Sequence, residues 1–247
     1  MYIILAYNMS TANNNHIITR YLVATLGLFL VGFGVALTII ANLGTAPLSC
    51  PAYVLNLEYP SVSVGTFIFI VNMVYMLVQI LLLRSDFKAS HLMQIVASIL
   101  FGYMVDACLW MLSSLSALSF LYKFLLILLA SLVTAVGVSL EVKSNAWMLS
   151  AEMTVSALSK VTGKRFDTMK IVMDCSIVVI SGVLAMIFFQ NPFGMAAFTN
   201  PGDIILARQE GIVIGLGTII LAFLPGFLLR FIQPLTDRFL ETAHILK

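Results

Sequence analysis

The sequence predicts an all-α polytopic membrane protein. Six transmembrane helices are expected, arranged as two inverted three-helix repeats, each with a short broken or re-entrant helix after its first span. Three observations predict this. Of 247 residues, 61% are hydrophobic and 10% charged, with a mean hydropathy of +1.05, whereas a soluble domain carries about 25% charged residues. Apolar runs of about 20 residues recur, the length of a spanning helix, where barrel strands would alternate over about ten. Finally, two breaks interrupt the apolar chain, one at Asn42–Pro51 and one at Ser144–Glu152.

The spans are expected at 18–41, 63–83, 89–113, 121–142, 167–189 and 210–233. Before them lies Tyr2–Tyr7, which is apolar but short, and then the polar run Ser10–Asn15. It does not read as a signal peptide, because it has neither a basic flank nor a small-residue cleavage site. Residues 1–17 are expected to be a disordered tail, with Met9 an alternative start. The first repeat is set at 18–115, the second at 116–236, and a cytoplasmic tail at 237–247.

Basic residues set the orientation. With the N-terminus in the cytoplasm, that side collects Arg20, Arg84, Lys88, Lys143, Lys160, Lys164, Arg165, Lys170, Arg230, Arg238 and Lys247, and the other side keeps Lys123 and Arg208. Both termini are therefore expected in the cytoplasm, in agreement with an even number of spans. The external stretch 190–209 is rich in turn residues and reads as a connection or a lid.

A shift of 103 residues places Gly34-Val35-Ala36-Leu37 on Gly137-Val138-Ser139-Leu140 and Asn42 on Asn145. With one residue of slip, Asn72 falls on Asp174 and Gly65 on Asp167; at a larger shift Gly102 falls on Gly226. Three spans per unit reverse the second unit in the membrane, the organisation of many secondary transporters, whose sites lie at mid-membrane where broken helices meet.

Each break has the makings of a site. Gly44 permits unusual backbone angles and Pro47 suits a first helical turn. From Pro47 to Leu57 there is room for about 16 Å of helix, half a bilayer. It reads as a re-entrant half-helix or as an amphipathic helix on the outer surface. At the second break, Glu141 and Lys143 flank the end of a span and are expected in water. Glu152 lies in an apolar run near a helix N-terminus, where it reads as a ligand or as a carboxylate stabilised by the helix dipole.

Within the spans, Asn72 and Asp174 sit near mid-depth. A carboxylate there normally faces a partner or an aqueous cavity; Lys170, four residues before Asp174, is the alternative partner. Asp106 lies further out in span three, and Gln79 and Gln94 read as hydrogen bonds between helices. Candidate substrate-binding residues are thus Asn42, Thr45, Asn72, Asn145, Glu152 and Asp174, with Asp174 and Asp106 as candidates for proton coupling. Gly211 and Gly215 make a small-xxx-small pair on the sixth span.

Other classes are excluded or unsupported. Cys50, Cys108 and Cys175 form no CxxC or Cys/His cluster, so neither disulfides nor a metal centre is expected. No Walker motif, HExxH or GxSxG occurs, and the chain is not read as an enzyme or as holding a cofactor. A formal net charge of +2 gives no footprint for nucleic acid. The expected partners are the lipid bilayer and an unidentified small molecule or ion. The leading reading is a secondary transporter working by alternating access. The alternative is a scaffold or accessory protein that contacts a cytoplasmic partner through loop 143–166.

The run Leu43-Gly44-Thr45-Ala46-Pro47, then Gly65, Asn72, Gly102 and Asp106, resembles the YczE/YyaS/YitT-type bacterial membrane proteins. The second half is similar through Gly163, Asp174 and Arg208-Gln209-Glu210-Gly211, although Ser150 stands where a second proline is expected. The resemblance implies a bacterial inner-membrane location and little about chemistry.

Overall fold

A computed structural model describes residues 17–84, 87, 89–115, 119–144, 146–193 and 211–242. The expected N-terminal tail, Asn145, most of the 190–209 stretch and the last five residues lie outside the described residues. The elements are α1 (Ile17–Ala41), α2 (Cys50–Glu58), α3 (Val64–Leu83), α4 (Met93–Leu112), α5 (Phe120–Ser144), α6 (Ser150–Thr162), α7 (Phe166–Phe189) and α8 (Leu216–Thr242). A 3-10 turn, Pro47–Ser49, leads into α2. No strand occurs among the described residues beyond an isolated bridge at Ile212.

Six of these helices are long and apolar enough to span a bilayer: α1, α3, α4, α5, α7 and α8. Their outward faces are apolar too. Leu81, Tyr103 and Trp110 are each more than 70% exposed, an arrangement that suits a lipid surround. The protein is a multi-pass membrane protein.

Local chemistry sets the boundaries. Ser63 caps α3 by accepting from the Thr66 amide at 3.1 Å. Gly163 ends α6 at φ 69°, the left-handed conformation that a helix C-terminus favours. The sixth span begins at Leu216 and not at 210. Gly211 and Gly215 therefore lie outside the helix and form no helical small-residue face. Gly215 instead lets the chain approach Leu43: an added Cβ would strike the Leu43 carbonyl.

The centre of the bundle is the crossing of α1 and α5. A Cβ at Gly27 would lie 2.8 Å from the Gly137 carbonyl, one at Gly137 would lie 2.7 Å from the Gly27 carbonyl, and one at Gly34 would lie 3.3 Å from the Ala130 carbonyl. Earlier residues of α1 thus meet later residues of α5, so the pair is antiparallel. Around it, α1 packs on α4 and α5 on α8, α3 on α4 and α7 on α8, α3 on α6 and α2 on α7.

Both short helices pack into the bundle. Cys50, Pro51, Ala52 and Val54 of α2 are buried, as are Ser150, Ala151, Glu152, Thr154, Val155, Ala157 and Ser159 of α6. Of the two readings of 47–57, the alternative of a helix on the outer surface is not what forms: the first turn is buried against α7.

Candidate functional site

Where α3 and α2 meet α6 and α7, four ionisable side chains are buried together. Glu152, in the first turn of α6, and Glu141, near the end of α5, are both fully buried. From α7, Lys170 Nζ donates to Asp174 Oδ1 at 3.2 Å and pairs with Glu152 Oε1 at 3.6 Å. Glu141 lies within electrostatic range of both Glu152 and Lys170. Tyr75 of α3 likewise lies within electrostatic range of Asp174, Glu152 and Cys50.

Two expectations are corrected here. Lys170 is 5% exposed and belongs to this interior, so it is not a topology-setting surface charge. Glu141 is not in water. The chain after α5 folds back, and the Leu149 amide donates to Glu141 Oε2 at 3.3 Å. The sequence signal for Glu141 was weak, because a carboxylate in the last turn of a span usually reaches the membrane surface.

The first break is built differently. Asn42, at φ 49°, presents Oδ1 to the Ile212 amide at 3.2 Å. The Thr45 amide donates to the Val213 carbonyl at 2.9 Å, and the Gly217 amide donates to the Leu43 carbonyl at 2.7 Å. Thr45 Oγ1 lies 3.1 Å from Cys50 Sγ and donates to the Val213 carbonyl at 3.3 Å. Gly44, at φ 108°, has no room for a Cβ beside Thr218 Oγ1 and the Gly215 amide. This clasp ties the break to the start of α8, and Asn42 and Thr45 form it.

Of the residues expected to bind substrate, Glu152 and Asp174 come together, joined by Lys170. Asn72 lies one turn before Tyr75 on the same helix and is fully buried. Its Nδ2 donates to the Ile68 carbonyl at 3.0 Å, while Oδ1 has no partner. Asn145 lies outside the described residues. Asp106 stands apart: its Oδ1 accepts from the Gly65 amide at 2.8 Å at the start of α3, about 15 Å along that helix from Tyr75.

Polar groups border the cluster on the α3 side. Gln79 Nε2 donates to Gln94 Oε1 at 2.9 Å and to the Ser150 carbonyl at 2.7 Å, and Gln94 Nε2 donates back to Gln79 Oε1 at 3.0 Å. Several atoms in this region are buried without a hydrogen bond: Asn72 Oδ1, Tyr75 Oη, Glu141 Oε1, Ser150 Oγ and both oxygens of Glu152. Buried polar atoms are almost always satisfied, so this concentration makes the region the candidate site. Among the described residues, no three His, Cys, Asp or Glu side chains converge closely enough to hold a metal ion.

No curated protein and no solved structure matches the chain. The chain belongs to the Family of unknown function (DUF6198), whose sequence profile matches residues 18–234.

Proposed function

We propose that the protein is a secondary carrier of a small solute, built from two inverted three-span halves that open one buried site alternately to either side of the membrane. The observation that carries this reading is the distribution of charge between corresponding joints. At the 103-residue shift, Ala46 corresponds to Leu149 and Thr38 to Glu141. The Ala46 amide donates to Thr38 Oγ1 at 3.2 Å, and the Leu149 amide donates to Glu141 Oε2 at 3.3 Å. Ala46 (φ −62°, ψ 140°) and Leu149 (φ −63°, ψ 152°) hold the same conformation before their short helices. A threonine therefore suffices for the joint, and the carboxylate of Glu141 exceeds what the fold requires. Ser49, Ile68 and Asn72 likewise stand where the second half has Glu152, Lys170 and Asp174. Buried charges cost several kcal/mol each unless compensated, and retaining them where neutral residues build the same fold favours a functional reason.

Other pairings support the repeat. Gly27 meets Gly137 as Gly34 meets Ala130, and these two pairs exchange under the same shift. Gly65 approaches Gly102, as Gly226 approaches Asp167. Asp106 binds the Gly65 amide, and Arg230 at the corresponding place binds Asp167 at 2.6 Å. The main helix contacts also fall in corresponding pairs: α1–α4 with α5–α8, α3–α4 with α7–α8, α3–α6 with α2–α7, and α2–α3 with α6–α7.

The cytoplasmic placement of both termini rests on the basic residues, which still favour that side after Lys170 is removed from the comparison. Residues 47–57 and the start of α6 then enter from opposite sides and meet α7 and α3. Asp174 is the candidate proton carrier, facing Lys170 on its own helix, Glu152 on α6, Tyr75 on α3 and Cys50 on α2. The test is uptake of a labelled metabolite panel into proteoliposomes under a pH gradient. Asp174→Asn is expected to abolish pH-driven uptake while the protein remains folded. Unchanged uptake removes Asp174 from the mechanism, and no uptake of any solute by wild type removes the carrier. An accessory role through loop 143–166 has less surface to use, since α6 is largely buried and the continuous exposed stretch is 160–165.

A further inference from the structure

We propose that this buried site takes a small organic cation whose N–H groups donate to it, a primary ammonium or a guanidinium group. The inference rests on the carrier reading and names the class of solute for that site. Glu141, Glu152 and Asp174 share one interior with a single ammonium, that of Lys170. Ionised, they leave it short of positive charge. Lys170 is already committed to Asp174 and Glu152, so it has little to offer an anion.

The hydrogen-bond inventory points the same way. Of the atoms in this region without a hydrogen bond, Asn72 Oδ1 and, when the carboxylates are ionised, Glu141 Oε1 and Glu152 Oε2 accept only; Glu152 Oε1 has just its 3.6 Å ion pair with Lys170, Tyr75 Oη and Ser150 Oγ serve either way, and Trp147 Nε1 alone is a donor. The demand is for donors. An anion brings more acceptors to this interior. A compact metal ion does not suit it, because the carboxylates do not converge as metal ligands do. An ammonium or guanidinium group brings charge and three or more directed N–H groups, which separated carboxylates on α5 and α6 can each accept. The acceptors come from both halves, Asn72 from the first and the carboxylates from the second, so a bound cation bridges the surfaces that alternating access would separate.

The experiment is thermal unfolding of the purified full chain with methylammonium, agmatine, tetramethylammonium or acetate, at matched ionic strength. Methylammonium or agmatine is expected to raise Tm by about 5 °C or more at a hundredfold excess over Kd. Tetramethylammonium, a cation without N–H groups, is expected to give a smaller shift, and acetate none. Each variant is compared with its own unliganded Tm, so that a change in basal stability does not enter. Glu152→Gln and Glu141→Gln are expected to lose the shift, and Lys164→Gln, in the exposed turn between α6 and α7, to keep it. The proposal is overturned if no N–H cation stabilises wild type, if acetate does so instead, or if both glutamine variants keep the full shift. It is also overturned if lower pH alone stabilises wild type and no amine adds to it, since protons then supply the positive charge. Agmatine uptake into proteoliposomes separates the two readings. Binding without uptake leaves the cation site standing and removes the carrier. Uptake of a neutral or anionic solute that Asp174→Asn abolishes, without amine binding, keeps the carrier and removes the cation.

Discussion

Replacing Lys170 with methionine removes the single cation of the buried cluster while keeping most of the side-chain volume. Its ammonium lies 3.2 Å from Asp174 Oδ1 and 3.6 Å from Glu152 Oε1, and all three side chains are at most 6% exposed. At an effective dielectric of about 20, each pair is worth about 5 kcal/mol of Coulomb energy before desolvation is subtracted. Burial of the lysine offsets much of that gain. Breaking a buried pair by removing one partner nevertheless costs about 3–5 kcal/mol, because uncompensated charge is left behind. The expected loss in Tm is about 10 °C, read by intrinsic fluorescence in detergent without ligand. Neutralising the orphaned carboxylates, in Lys170→Met/Glu152→Gln/Asp174→Asn, should recover most of it. A loss below about 1 kcal/mol for the single variant, with no recovery in the triple, would sink the reasoning: the carboxylates would then be neutral or hydrated, and Lys170 would not be their counter-ion.

The other predictions concern the frame around the site. Gly27→Ala places a Cβ 2.8 Å from the Gly137 carbonyl and 2.9 Å from Glu141 Cγ, so it should cost about 1–3 kcal/mol by overpacking and be visible as a lowered Tm. Gln79→Leu strips partners from Gln94, the Ser150 carbonyl and Thr154. A loss of about 2–4 kcal/mol is expected, partly recovered in Gln79→Leu/Gln94→Leu, and a silent single variant would contradict the network. Asp106→Ala should cost about 1 kcal/mol through the lost Gly65 contact, and Asp106→Asn, which keeps an acceptor, should cost less and leave any proton-driven flux intact. Single cysteines replacing exposed Tyr59 and Val161 should be labelled by an impermeant maleimide from opposite sides of the membrane; labelling from one side would refute the inverted orientation.

The spans were legible because a bilayer demands long apolar helices, and composition alone exposes such runs. The start of the last span was not. Gly211-Ile212-Val213-Ile214-Gly215 is apolar and reads as helix, but its backbone hydrogen-bonds the first break and is not helical. A short apolar run does not say which secondary structure it takes; only its tertiary partner at Asn42–Thr45 decides. In the site, Glu152, Asp174 and Asn72 stood out because each polar residue interrupts an apolar helix. Lys170 was visible as a local partner of Asp174, but its contact to Glu152 joins α7 to α6 and has no sequence periodicity. Glu141 was misread for a similar reason. Its burial is produced by the chain returning over it at Leu149, eight residues later.

The two breaks also divide the work unequally. The first is held by Asn42, Leu43 and Thr45, bonded to Ile212, Gly217 and Val213, and it carries no ionisable side chain apart from the buried thiol of Cys50. The second is held by one carboxylate-to-amide bond at Leu149 and by Arg20 Nε donating to the Ser144 carbonyl at 2.9 Å, and it carries the charge. A repeat whose halves were interchangeable would place equivalent ligands on both. Under the proposed repeat the two breaks stand at corresponding positions, and the sequence charges one of them. The first break is closed by these bonds, and its short helix packs against α7. The second places Glu141 and Glu152 beside Lys170, where a change in bound charge acts directly on the contact between α6 and α7. If the halves move, the charged break is the one whose bonds depend on what occupies the site.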